Sequence, residues 1–341
     1  MTNKTLLSIC IPTFNRLDCL ENCLNSIKLA NENYKFNFEV CIKDNNPNGN
    51  ALEIVEKYKN LFKIKYNVNK TNIGIGKNIF SSVDNAEGEF SWIIGNDDMI
   101  LPYTFKILDK LFLKNKDVDY FFINSYSLNS NNFINIDNPM DISNLNKDSP
   151  RFSNLKRDIR DSYFNLVNHK ICWDYYLGIF LSIFRTKMWM ENKSIINIEE
   201  ISDKNFYTNI YNTFPHLIIF SRAFRNSIAY AQSEPLSINL IGEREWADMY
   251  PFIEAVRIPQ VLDLYRSNGL PLIKYIIEKN YASRRILPGL FKLFYLKSAK
   301  GIELLNFRRD ILPNCLYPSV YYYGFYYFIK KFINIFFRGD K

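Results

Sequence analysis

Histidine is scarce in this sequence: His169 and His216 are the only two in 341 residues. The six cysteines, Cys10, Cys19, Cys23, Cys41, Cys172 and Cys315, include no C-x-x-C pair and mostly lie in apolar runs. A zinc site and a disulfide framework are both disfavoured, and the cysteines read as buried reduced thiols. No G-x-x-x-x-G-K-[ST] stretch occurs, and Gly74-Ile75-Gly76-Lys77 is too short to replace one, so phosphate is not cradled by a P-loop. Met1 to Thr5 lack the basic, apolar and small-residue succession of a secretory signal, so the cytoplasm is the expected location.

Acidic residues are sparse towards the C-terminus. Residues 271–341 hold 13 Lys and Arg against 4 Asp and Glu, whereas the first 270 are close to neutral. A nucleic-acid binder would carry its basic stripe on the folded core beside a recognition element. Here the excess sits on an aromatic tail, so no nucleic-acid partner is expected. The length suits one large domain with an appendage or two closely packed domains. An aromatic share of 16% is high, and the Phe and Tyr side chains need a location.

What is present in the first third is alternation. Residues 6–12 form a near-continuous apolar run, as in a parallel strand covered on both faces. Leu17, Leu20, Leu24 and Ile27 follow at helical spacing, behind an Asn15/Asp18 start signal. A strand ending at Asp44, a turn through Gly49 and an amphipathic stretch with Val55 and Tyr58 repeat the unit. Further strands are predicted over 64–68, 90–94 and 118–123, with helices after Gly74 and Pro102. Such order implies an α/β fold with a mostly parallel sheet, helices on both faces, and ligands beyond the carboxyl ends of the strands. Residues 125–160 read as a long loop or lid. Beyond them, Gly178 to Phe184, Ile228 to Ala231 and Leu236 to Leu240 read as short strands, and Phe206 to Phe220 as a helix broken near Pro215.

Three successive strand ends carry polar clusters: Pro12-Thr13-Phe14-Asn15-Arg16, Asp44-Asn45-Asn46 and Gly95-Asn96-Asp97-Asp98. Singly each is a turn. Together they point to one site, and the adjacent carboxylates Asp97 and Asp98 call for a hard divalent cation, Mg²⁺ or Mn²⁺, bridging to phosphate oxygens.

These residues identify a family. Leu7 to Arg16 (L-S-I-C-I-P-T-F-N-R), Ile42 to Asn45, Asn72 to Asn78 (N-I-G-I-G-K-N) and Glu87 to Asp98 resemble family-two glycosyltransferases of the GT-A fold, in the bacterial surface-polysaccharide branch, over residues 5–240. The resemblance implies a nucleoside-diphosphate sugar donor, UDP being the first choice, held by Pro12, Thr13, Phe14, Asn15, Asp44, Asn45, Asn72, Asn96 and Asp97, with metal at Asp97 and Asp98. It also implies an inverting reaction onto a glycan acceptor, in many members lipid-linked. The family often has a carboxylate where Gly95 or Asn96 stands, so this site carries fewer charges than usual. The family's general base is commonly acidic and heads a helix in the second half. His216 occupies roughly that position here, with Asp203, Glu200 and Asp174 as alternatives. On this reading residues 1–124 form the donor half, 125–245 the acceptor half, and 246–341 a helical C-terminal region.

Trp173, Asp174 and Tyr176 are candidates for sugar stacking and hydrogen bonding, against a simple core role. Arg185 is a candidate acceptor or phosphate contact, and residues 243–246 could close on the diphosphate or form a charged turn. In the tail, Tyr321 to Phe328 and Ile329 to Arg338 interleave aromatics with Lys330 and Arg338. Pro318 and the paired lysines interrupt it before the roughly 20 residues of a membrane span. An in-plane amphipathic helix peripheral on the inner face of the cytoplasmic membrane is one reading. Packing on the catalytic domain or on a second subunit, as a homo-oligomer, is the other. A sugar nucleotidyltransferase would want a basic, glycine-rich loop after the first strand, which is missing. A non-catalytic nucleotide-sugar binder stays open.

Overall fold

The computed structural model describes residues 5–129, 145, 149–201, 207–241, 247–296 and 298–338. Two compact units emerge. The first comprises Met1–Lys204 with Phe214–Gly242, and the second comprises Asn205–Thr213 with Glu243–Lys341.

The first unit is built on a sheet of nine described strands. The strands are β1 Leu7–Thr13, β2 Phe38–Asp44, β3 Ile64–Val68, β4 Phe90–Ile93, β5 Asp98–Ile100, β6 Tyr120–Asn129, β7 Ile159–Ser162, β8 Ser182–Arg185 and β9 Ile228–Ile241. Their order is β3-β2-β1-β4-β8-β6-β9-β5, with β7 on β9. The strands β1 to β4 pair in parallel, and β8 enters antiparallel between β4 and β6. The register sets Thr13 opposite Asp44 and Cys10 opposite Ile93, so β1, β2 and β4 end along one edge. The fold is the expected α/β, GT-A-like one, and antiparallel pairing in its second half makes the sheet mixed.

Period-two alternation distributes the aromatic side chains to both faces. Phe121 and Ile123 of β6 share an apolar cluster with Leu7, Ile9 and Ile11 of β1. Helix α1 (Leu17–Asn33) adds Leu20, Leu24 and Ile27 to it, and the helix Thr104–Lys114 adds Phe105, Leu108 and Phe112. Tyr120 and Phe122 point the other way, and Tyr120 meets Tyr163, Phe220 and Phe224 edge-on. Much of the aromatic excess is therefore core.

Several elements differ from the sequence reading. The strand expected over 178–184 is shorter: Ile179–Leu181 coil into a 3-10 turn and extension starts at Ser182. The two strands expected over 228–240 are one, Ile228–Ile241, whose irregularity against β6 accommodates Pro235. The helix expected over 206–220 is broken near Pro215 as expected, into Ile210–Thr213 and Pro215–Ala223, but starts later and runs on to Ala223. β6 runs on to Asn129, across residue 124, and β7 begins at Ile159, inside the expected lid; half of that lid, 130–144 and 146–148, lies outside the described residues, as do 243–246.

The second unit is helical. Its core gathers Phe252, Ala255, Val256, Ile286, Leu290, Leu293, Ile311 and Val320. Arg257, 2% exposed, donates to the carbonyls of Tyr207 and Thr208, which ties that segment to this unit.

Candidate active site

Each strand end places its polar residues by local hydrogen bonding. At the end of β1, Asn15 adopts a left-handed backbone (φ 56), which Asn tolerates, and its Oδ1 accepts from Asn46 and Asn50. Phe14 is turned outward, 40% exposed. At the end of β2, Asp44 is fully buried: Oδ1 accepts from the Asn46 amide (2.9 Å), and Oδ2 from the Tyr66 hydroxyl (2.7 Å) and the Ala51 amide. Burial first, and this bond second, push the Tyr66 hydroxyl well above its ordinary pKa.

Asn45 is the hub of a buried amide network. Its Oδ1 accepts from Asn69 and from the Ile73 amide, while its Nδ2 donates to Asn72 Oδ1. Asn69 donates to Asn78 Oδ1 as well, and Asn78 Nδ2 reaches the Lys43 carbonyl. The segment 72–78, which runs into the helix Ile75–Ser81, is therefore fixed to the β1 and β2 ends by amides. Asn45 and Asn72 are spent largely on this framework.

At the end of β4 the two acids differ. Asp98, 3% exposed, accepts from the Gly95 amide (2.8 Å) and from Asn239 Nδ2 of β9 (2.6 Å). It braces the turn. Asp97 instead reaches outward and pairs with the Arg16 guanidinium at 2.8 Å. Asn96 Nδ2 donates to Thr13 Oγ1 at 2.9 Å, joining the β1 and β4 ends. Arg16 and Asn239 are contributors that the sequence reading did not single out. Arg16 closes the Pro12 to Arg16 motif and could have been paired with an acid, whereas nothing marked Asn239, 141 residues from Asp98.

Among the described residues, no three His, Cys, Asp or Glu side chains converge to hold a metal ion. A Cβ on Gly95 would lie 2.5 Å from Asp97 Oδ1, so the missing side chain gives the Asp97 carboxylate its room. Of the expected pair, Asp97 would hold a Mg²⁺ or Mn²⁺ ion, which would supply charge neutralisation to a diphosphate, while Asp98 is engaged by Gly95 and Asn239. The donor set does not fit a resident ion caged by protein alone.

The candidate bases are distributed unequally. His216 is 5% exposed, between the Phe214 and Phe220 rings, and its Nε2–H faces the Leu177 carbonyl at 3.0 Å. Burial lowers its pKa to about 4, against the opposing pull of that carbonyl. Asp174 lies in the turn Trp173–Tyr176, beside a cavity of about 380 Å³ that Trp173, His169, Lys170, Asn154 and Lys156 also line. The cavity walls are stitched together by Ser153 Oγ on the Ile171 carbonyl and Asn124 on the Ser153 carbonyl. From there the chain runs to Phe180, whose carbonyl accepts from Trp92 Nε1 of β4, and into β8. Glu200 lies in the short helix Ile198–Ile201, and Asp203 is outside the described residues. Arg185 sits opposite Phe90, at the start of β4 and away from the strand ends, bound to Asp119 and Glu89. Antiparallel entry of β8 puts it there, as a structural ion pair rather than a phosphate contact.

A mixed α/β sheet with Asp, Asn and Arg side chains gathered at parallel strand ends places a candidate ligand site beyond those ends. Residues 8–184 match the profile described as glycosyl transferase family 2, and the chain belongs to that family. It is 38% identical over 105 residues to abequosyltransferase RfbV of Salmonella typhimurium, spanning 30% of this chain and 31% of that one. It is 33% identical over 97 residues to the GalNAc(5)-diNAcBac-PP-undecaprenol beta-1,3-glucosyltransferase of Campylobacter jejuni, spanning 28% and 30%. The matched stretch thus covers less than a third of each of these relatives. The crystal structure of TarS 1-349 from S. aureus in complex with UDP shares the fold, with a TM-score of 0.53 and 19% identity over 88% of this chain and 75% of that one. Family membership sets aside the nucleotidyltransferase reading.

Proposed function

We propose that the chain is an inverting glycosyltransferase that moves a sugar from a nucleoside-diphosphate sugar, UDP being the first choice, onto a lipid-linked bacterial surface glycan. The observation that carries this reading is the bonded line Thr13–Asn96 and Asp97–Arg16, which joins two adjacent parallel strand ends and leaves one carboxylate and one guanidinium directed outward. Phe14, exposed beside them, offers a face to a nucleobase. A divalent ion bound with the donor would neutralise charge on the departing diphosphate. Arg16 binds that diphosphate, exchanging Asp97 for phosphate oxygens, a match that its planar fork suits.

Asp174 is the base in this proposal, because it borders an open cavity beside Trp173 whereas His216 is enclosed. Its carboxylate takes the proton of the acceptor hydroxyl as that oxygen bonds to the anomeric carbon. The bond from that carbon to the diphosphate oxygen breaks on the opposite face, inverting the configuration. His216 then acts by position, holding the Leu177 carbonyl between Asp174 and β8. The acceptor class rests on the Campylobacter relative, whose name specifies a diphospho-undecaprenol glycan. No helix among the described residues is long and apolar enough to cross a membrane, so access to such an acceptor would come from the inner membrane surface through the aromatic tail.

The test is turnover of a nucleotide-sugar panel with Mn²⁺ by the full chain and by two variants. Asp97→Asn should lower hydrolysis and transfer together, about 100- to 1,000-fold. Asp174→Asn should lower transfer about 100- to 10,000-fold while leaving donor binding intact. Full transfer activity in Asp97→Asn would remove the proposal.

A further inference from the structure

The helix Leu272–Ser283 is inside out. Leu272, Ile273, Ile276 and Ile277 recur at i, i+1, i+4 and i+5 and are all exposed, Ile273 to 77%. Of its three charged residues, Glu278 and Lys279 are buried, at 2% and 3%, and Lys274 is half-buried. Lys279 Nζ donates to Asp263 Oδ1 (2.6 Å) and to the Pro259 carbonyl (2.8 Å). The inward face therefore satisfies its charges within the protein, while the outward face presents aliphatic side chains to whatever surrounds it. A water-facing helix has the opposite arrangement, and contiguous apolar exposure of this kind marks a surface that is covered in use.

The adjoining helix Pro318–Arg338 repeats the arrangement. Val320 and Gly324 turn inward, and a Cβ on Gly324 would meet Leu287 at 2.4 Å. Tyr321, Tyr322, Phe325, Tyr326, Phe332 and Ile333 are exposed. The two helices are joined where the Ser319 amide donates to Asn280 Oδ1.

We propose that Leu272–Ser283 is a second membrane-inserting element, which beds its isoleucines in the headgroup and acyl boundary of an anionic bilayer. This rests on the surface-membrane reading above and extends it beyond the tail. Charge selects lipid over a second copy of the chain. Residues 271–341 carry 13 basic against 4 acidic residues, and the helix's single carboxylate, Glu278, faces inward. Two such surfaces would repel each other, whereas anionic headgroups would be attracted.

Flotation of the full chain with phosphatidylglycerol and with phosphatidylcholine vesicles tests this. The unaltered chain should float with phosphatidylglycerol and far less with phosphatidylcholine. I273E/I277E should bind phosphatidylglycerol vesicles at least about tenfold more weakly, with an unchanged melting temperature and donor hydrolysis. If it binds like the unaltered chain while F325E/F332E does not, the helix proposal fails and the tail reading stands. If the unaltered chain binds no vesicle, both fail. A lipid-free dimer that I273E/I277E converts to monomer would overturn the proposal in favour of a protein interface.

Discussion

In β1 the isoleucines are hidden and the polar atoms wait at the strand's end; in Leu272–Ser283 the isoleucines are outside and Lys279 is hidden. The first pattern is what water imposes on a chain that must close a core. The second is what a chain adopts when part of its surface is to leave water, because an exposed aliphatic face then meets its medium instead of opposing it. In the proposals made above the difference divides labour between the units: the first unit builds a donor site, and the second builds a surface for an apolar neighbour.

That contrast can be broken in graded steps. The largest stability effect should come from Ile9→Ala at the centre of the sheet, where a fully buried side chain leaves a cavity, with an expected loss of about 2–5 kcal/mol in denaturant melts. Acid should come next. The pKa of His216 is about 4 in the fold against an ordinary 6.5, so its contribution is complete above about pH 6.5. It falls as pH drops towards 4, by up to about 3 kcal/mol, and a flat profile between pH 7 and 4 would contradict its burial. Asn78→Ala should cost about 1–3 kcal/mol by removing one of the two acceptors of Asn69 Nδ2 and the bond to the Lys43 carbonyl. It should raise KM for the donor more than it lowers kcat, if segment 72–78 only positions the site. Smallest of all, Ile273→Ser should change stability by less than about 0.5 kcal/mol. A loss like that of Ile9→Ala would mean that the helix face is core after all.

The elements of the first 124 residues, the short strand β5 excepted, were legible because their signals are local. A strand buried on both faces must be an apolar run, as Leu7 to Ile11 is, and a helix against it must repeat every three or four residues, as Leu20, Leu24 and Ile27 do. The clustering of Thr13, Asp44 and Asn96 followed from their places at strand ends. Long-range partners were another matter. Asp97 and Asp98 are neighbours of one type, and only Asn239 and Arg16 separate a brace from an outward carboxylate. His216 has the chemistry of a base in any sequence, and only the Leu177 carbonyl and two phenylalanine rings enclose it.

The sequence alone determined that this chain is an α/β protein with its polar residues at strand ends, since side-chain period and chain order are properties of the chain itself; its GT-A kind came from the resemblance of its motifs to a family. Which way a face turns was decided only by the tertiary structure. The spacing of Leu272, Ile273, Ile276 and Ile277 divides a helix into two faces equally well whether the apolar one looks inward or outward. Periodicity carries no sign. The sign came from Asp263 and Pro259, which draw Lys279 inward and so leave the isoleucines on the surface.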